Sequence, residues 1–358
     1  MRGGEKCLEA ACELFPDADV FTLLHRKGTV SPTIERHRIT TSFLQRLPEV
    51  HRYYRYLLPL FPAAVERFDL GGYDLVLSMS HAVAKGAIPP VGAEHACYCF
   101  SPMRYVWDLY DDYFGRLPKP AELVVSACAS RLRLWDVAAT ARVDRIAAIS
   151  RHVERRVARY YRREATVIHP PVEDRYFEEG LPSGPGEYLL IVSSLVPYKR
   201  IDTAIAAVRR TGEPLWIVGS GPEERRLRRL APPNVRFLGW QRSDALPDLY
   251  RRARALVFPG VEDFGIAPLE CQAMGRPVVG LRAGGLCETV APIGAGGEPT
   301  GVLYAEPTVE GLLGGLETLR RHQADFDPAR LRRHASAFRR NRFLDELKSF
   351  ATPGARPC

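Results

Sequence analysis

A chain of 358 residues, 46% hydrophobic and 26% charged, has the composition of an ordinary globular protein with room for two cores, which excludes disordered and fibrous classes. Its formal net charge of +8 points to anionic partners: a phosphate-rich ligand, a membrane surface or nucleic acid. No run approaches the roughly 18 apolar residues of a membrane-spanning helix, and Met1 to Lys6 lack the apolar stretch of a signal peptide, so a cytosolic location is expected.

The chain opens on "RGGEKCLEAACELF", which reads as a glycine-rich turn entering a helix. In a doubly wound domain such a turn follows a strand, yet only Met1 precedes it, so a first strand is expected upstream of Met1. Strands are then predicted at 18–24 ("ADVFTLL"), 73–80 ("YDLVLSMS"), 95–100 ("HACYCF"), 145–150 ("RIAAIS") and 166–171 ("TVIHPP"), with longer insertions between them. They indicate a first α/β domain over 1–170. Basic stretches interleaved with tyrosine or leucine, such as "HRYYRYLLPLFP" at 51–62 and "VERRVARYYRRE" at 153–164, suit an anionic membrane surface. No base-reading module accompanies them, so nucleic acid is not assigned as a partner.

Proline, glycine and acidic residues concentrate in "PPVEDRYFEEGLPSGPGE" at 170–187, a predicted junction. Beyond it the pattern becomes regular. "EYLLIVSSL", "PLWIVGSG", "VRFLGW", "ALVFPG" and "PVVGL" read as strands, each followed by a helical stretch, which predicts a parallel, doubly wound second domain over 171–335. A C-terminal helix and tail, 336–358, is free to return to the first domain. Two Rossmann-like domains facing a cleft are therefore expected, with ligands beyond the carboxyl ends of the strands. The eight cysteines, Cys7, Cys12, Cys97, Cys99, Cys128, Cys271, Cys287 and Cys358, show no ligand spacing and read as reduced residues.

Chemistry concentrates in "ALVFPGVEDFGIAPLECQAMG". Pro268 is predicted at the first helical position, with Glu262 in the preceding loop and Glu270 in the first turn. The N–H groups of Phe264, Gly265, Ile266 and Ala267 would then be open to a phosphate or hydroxyl at a positive dipole end. Two carboxylates flanking such amides form a grip for a polyol joined to phosphate, although Glu270 serves equally to complement the helix dipole. Lys199, at a strand-helix junction, is placed to meet a diphosphate. Gly219 and Gly221 permit a tight turn that can accommodate a nucleoside, while Glu224 at the third fingerprint position argues against a nicotinamide cofactor. His81 follows a predicted strand. "DAD" at 17–19 precedes its strand and reads as a turn, so no metal is assigned.

The segments "SSLVPYKRIDTAI", "VGSGPE", "VRFLGW", "FPGVEDFGIAPLECQAMGRPVVG" and "GGLCETV" resemble, in this order, the C-terminal domain of GT-B glycosyltransferases of family 4, with Glu262 and Glu270 as the E-x7-E pair. "RGGEKCLEA", "SHAVAKG", "SPMRYVWDLY" and "FDPARLRRHASAF" extend the resemblance to a bacterial mannosyltransferase-like branch. It implies that Glu270 binds ribose, that Glu262 and the amides of Phe264 to Ala267 bind the donor sugar, and that Lys199 meets the diphosphate. His81 would approach the transferred sugar, and Gly3 and Gly4 the diphosphate or acceptor. It implies further a retaining, metal-free hexosyl transfer from a nucleotide-sugar, GDP-mannose by the branch, to a lipid-linked or growing surface-polysaccharide acceptor at the inner face of the cytoplasmic membrane. Ser194 stands where the family usually has arginine. With the short start, it raises the alternative of a sugar-nucleotide-binding protein of weakened or absent turnover.

Overall fold

In a computed structural model, residues 3–115 and 117–352 are described. Pro171–Arg342 forms one compact unit, and the segments on either side of it form another.

In the flanking unit, β1 (Val20–Thr22) pairs in parallel with β2 (Ile39–Thr41), and β3 (Leu75–Ser80), β4 (Glu94–Cys99), β5 (Arg145–Ala148) and β6 (Thr166–Val167) form a parallel sheet in that order. Each strand predicted in this half is present. β2 was not predicted, because three residues of sequence Ile-Thr-Thr carry no readable alternation. The opening glycines are part of the helix Gly3–Leu14 rather than a turn before it, and a Cβ on Gly4 would lie 3.5 Å from the Phe100 ring. The helix Arg151–Tyr161 starts where Ser150 Oγ accepts from the N–H of Val153 at 3.0 Å, the usual way of satisfying an orphan donor. From Phe343 onward the helix Arg340–Ala351 belongs to this unit, with Phe343, Leu347 and Ala351 buried and the Phe343 ring 5.6 Å from Tyr98.

The central unit holds β7 (Tyr188–Val192), β8 (Leu215–Val218), β9 (Val235–Gly239), β10 (Ala253–Phe258), β11 (Val278–Leu281) and β12 (Gly301–Tyr304), all parallel, in the order β12-β11-β10-β7-β8-β9. The near-continuous apolar runs of β7 and β10 suit central strands covered on both faces. On one face alternate residues, Leu189 and Ile191, Leu215 and Ile217, Ala255 and Val257, Val279 and Leu281, pack with Ile205 and Val208 of the helix Ile201–Thr211 and Leu312 and Leu316 of the helix Val309–Arg321. Each fully buried aliphatic side chain of this kind contributes roughly 1.5–3 kcal/mol. The two units divide at the start of the predicted junction, which contains the helix Arg175–Glu178, buries Tyr176 and Phe177, and pairs Val172 with Arg339. Its proline and glycine content obscured that apolar anchor.

The strand order reverses between β7 and β10. β8 and β9 extend the sheet from one, β11 and β12 from the other, so the loops leaving these two neighbours start side by side at their carboxyl ends. This is the topological switch point at which open α/β sheets receive ligands.

Candidate functional site

The loop after β7 runs through Ser193 and Ser194 to a 3-10 turn, Pro197–Lys199. The loop after β10 runs through Pro259 and Gly260 to Glu262. Lys199 is 7% exposed, and its Nζ forms an ion pair with the Glu262 carboxylate and lies 5.2 Å from the Tyr198 ring centroid and 5.4 Å from that of Phe258. A nearly buried ammonium requires such compensation, from a carboxylate and from aromatic faces. Lys199, Ser193 and Gly260 also line a small pocket between the ends of β7 and β10. The site therefore joins two residues that the sequence placed sixty-three positions apart.

Past Glu262, Gly265 adopts φ of +90° and acts as N-cap of the helix Ile266–Ala273. Among the described residues, the N–H groups of Gly265, Ile266 and Ala267 donate to no backbone carbonyl. They stand at the positive dipole end of this helix. Phe264 is buried beside Phe338 instead, with ring centroids 6.0 Å apart.

Two expectations need correction. Pro268 is the third helical residue, because Gly265 in the left-handed region can end the loop before it. Glu270 consequently lies beyond the first turn; it is 4% exposed and accepts from the Tyr250 hydroxyl at 2.8 Å. Burial first, and Glu270 second, pushes the Tyr250 and Tyr176 hydroxyls well above their ordinary range. Those protons stay on the tyrosines.

Gly219 has φ of +128°, and a Cβ there would fall 1.8 Å from Ser193 O; one on Gly221 would fall 2.3 Å from Leu195 O. These glycines let the turn after β8 press on the loop that leads to Lys199, with the N–H of Leu195 donating to Ser220 O at 3.0 Å. Three further glycines act the same way and were not singled out in the sequence. A Cβ on Gly260 would meet Tyr198 O at 2.5 Å, one on Gly284 would meet Glu262 O at 2.2 Å, and one on Gly285 would meet Phe264 Cα at 2.3 Å. The paired glycines of "GGLCETV" were the available signal.

His81 is exposed immediately after β3 and, with Gly3 and Gly4, belongs to the flanking unit. Ser194 is exposed. Among the described residues no three His, Cys, Asp or Glu side chains form a group able to hold a metal, and no helix is long and apolar enough to cross a membrane.

Residues 186–321 match the family described as glycosyl transferases group 1. Among curated proteins, the chain is similar to an uncharacterized glycosyltransferase of Methanocaldococcus jannaschii, 26% identical over 157 residues, covering 42% of this chain and 44% of that one. It is similar also to the GDP-mannose-dependent monoacylated alpha-(1-6)-phosphatidylinositol monomannoside mannosyltransferase of Corynebacterium glutamicum, 39% identical over 116 residues, covering 28% of this chain and 30% of that one. The chain thus spans less than half the length of these curated relatives. Among solved structures, sucrose-phosphate synthase from Thermosynechococcus elongatus superposes with a TM-score of 0.71 at 19% identity, over 96% of this chain and 90% of that one. Anabaena HepE in complex with UDP-glucose gives 0.68 at 15% identity, over 99% and 97%. The chain has the GT-B fold, and its residues 186–321 are similar to the glycosyl transferases group 1 family.

Proposed function

We propose that the chain is a retaining hexosyltransferase that takes its sugar from a nucleoside diphosphate donor held by the central unit. The observation that carries this reading is the Lys199–Glu262 pair beside the open amides of Gly265 to Ala267, at the carboxyl ends of β7 and β10. Lys199 and the amides supply positive charge where a leaving diphosphate accumulates negative charge, and Glu262 is an acceptor for sugar hydroxyls. Glu270 is assigned to ribose, and the turn at Gly219 and Gly221 to the nucleoside. In the flanking unit, His81 is assigned to the sugar step, and Gly3 and Gly4 to phosphate or acceptor.

Retention is proposed to proceed by attack on the face that the diphosphate leaves. The bond from anomeric carbon to phosphate oxygen breaks, the bond to the acceptor oxygen forms, and the acceptor's proton passes to a phosphate oxygen. No metal is assigned a role. Catalysis then rests on positioning and charge stabilisation.

Mannose from GDP-mannose is the donor favoured here, on the similarity to GDP-mannose-dependent enzymes named for transfer to phosphatidylinositol mannosides. The acceptor is proposed to be lipid-linked or a growing surface glycan, met at the inner face of the cytoplasmic membrane. The stretch 51–62 supports that with Arg52, Arg55, an 85% exposed Tyr56 and a half-exposed Leu60.

Calorimetry against GDP-mannose, GDP, UDP-glucose and UDP, followed by an assay for released nucleoside diphosphate, tests the proposal. Selective GDP-mannose binding is expected, with Glu262→Ala lowering turnover about 10²- to 10³-fold. Near wild-type turnover in that variant would remove Glu262 from the reaction, and preferential binding of UDP-glucose would overturn the mannose assignment. Binding without turnover in the presence of lipid-linked acceptors would favour a sugar-nucleotide-binding role, as the serine at 194 suggested.

A further inference from the structure

The cation that the proposed reaction needs is neutralised by a carboxylate of its own chain. Lys199 is paired with Glu262, at side-chain exposures of 8% and 18%, so a diphosphate that binds the ammonium is brought against the Glu262 carboxylate. A carboxylate left facing phosphate oxygens repels them. The backbone around Glu262 is fixed: its carbonyl accepts from the N–H of Gly285 at 2.8 Å and is crowded by Gly284. The side chain, 18% exposed, is the part of Glu262 that a change of partner can turn.

We infer that Glu262 is an exchangeable counter-ion that couples diphosphate binding to the presence of the sugar. The inference rests on the donor-site reading above. When a nucleotide-sugar arrives, its diphosphate replaces Glu262 on Lys199, and the released carboxylate accepts from sugar hydroxyls. When a nucleoside diphosphate arrives alone, the same displacement leaves Glu262 beside phosphate oxygens with no hydroxyl to receive. The exchange therefore penalises the product relative to the donor. After transfer removes the sugar, Glu262 loses its hydroxyl partners and returns to Lys199, which promotes release of the spent diphosphate.

The test uses the full chain, titrated calorimetrically with UDP, GDP, UDP-glucose and GDP-mannose. Glu262→Gln keeps the shape and removes the competing charge. It is expected to bind whichever nucleoside diphosphate the wild type prefers about 3- to 10-fold more tightly, the scale of one partly exposed charge pair, and to narrow the preference for the sugar-bearing form. Lys199→Gln is expected to weaken both forms at least about tenfold. If Glu262→Gln leaves diphosphate affinity unchanged or weaker while Lys199→Gln still weakens it, the exchange is wrong and the donor site stands. If Lys199→Gln changes neither affinity, the donor-site reading falls and takes the exchange with it. Thermal melts and circular dichroism confirm that each variant is folded, and Glu262→Ala must give the same sign of effect on diphosphate affinity as Glu262→Gln.

Discussion

Each unit contains a nearly buried lysine paired with a carboxylate, and the two pairs are built differently. In the flanking unit Lys85 and Asp136 have side-chain exposures of 3% and 0%, and Asp136 also accepts from Trp107 Nε1 at 2.8 Å and the Tyr161 hydroxyl at 2.7 Å. Lys85 Nζ is enclosed by the Tyr161 and Trp135 rings, 4.9 and 5.6 Å from their centroids. Asp136 lies within the 22-residue helix Lys119–Thr140. Glu262, by contrast, lies in a loop and is 18% exposed. A carboxylate held by three donors in the interior fixes a structure, whereas a partly exposed one on a loop at the carboxyl ends of the strands is placed for exchange.

The largest expected effect breaks the closed pair. Asp136→Ala leaves Lys85 buried without its carboxylate and should cost about 3–5 kcal/mol of stability. Glu262→Gln, its counterpart at the open pair, leaves an amide oxygen to accept from Lys199 and should cost less, about 1–2 kcal/mol. Urea titrations of both variants decide between them, and equal losses would end the distinction between the pairs.

The next effect sharpens the picture of the flanking unit's interior. His95 in β4 is fully buried, 2.9 Å from Ser78 Oγ, and burial depresses its imidazole to about 4 from an ordinary 6.5. The unfolded chain therefore binds a proton at His95 that the folded chain refuses between those values, so stability rises with pH across this window. Taking pH from 7 to 5 should cost about 2 kcal/mol through this residue, and His95→Gln should flatten that slope. An unchanged slope would place the titrating group elsewhere.

The two pairs also differ in how far the sequence announced them. The loops after β7 and β10 were legible because each follows a short apolar run and carries a charged residue where a helix begins: Lys199 before Ile201, Glu262 before Ile266. That these loops meet was not legible, since β10 lies beside β7 only through a strand order that skips β8 and β9. The helix start was misplaced at Pro268 because proline at the first position is the stronger local rule, and only the backbone conformation of Gly265 overrides it. The Lys85–Asp136 pair escaped notice altogether. Asp136 falls in the helical stretch Lys119–Thr140, where nothing local marks it as buried, and its burial is decided by Trp107 and Tyr161, which are distant in sequence.

The smallest expected effect concerns Ser194, exposed on the loop that Gly219 and Gly221 hold in place. If Lys199 is the central unit's exchangeable cation for a diphosphate, a second cation on the same loop should share that load without disturbing the Glu262 pair, because guanidinium is always charged and reaches phosphate in a bidentate fork. Ser194→Arg should therefore tighten binding of the preferred nucleoside diphosphate by about 0.5–1 kcal/mol at low salt, the scale of a solvent-exposed charge contact, and the gain should shrink as ionic strength rises toward 0.5 M. Turnover should rise with it if phosphate charge limits the step. A variant that binds no better at low salt would mean that position 194 faces away from the phosphates. A gain that survives high salt would point to an altered loop instead, since screening must weaken a contact made in open solvent.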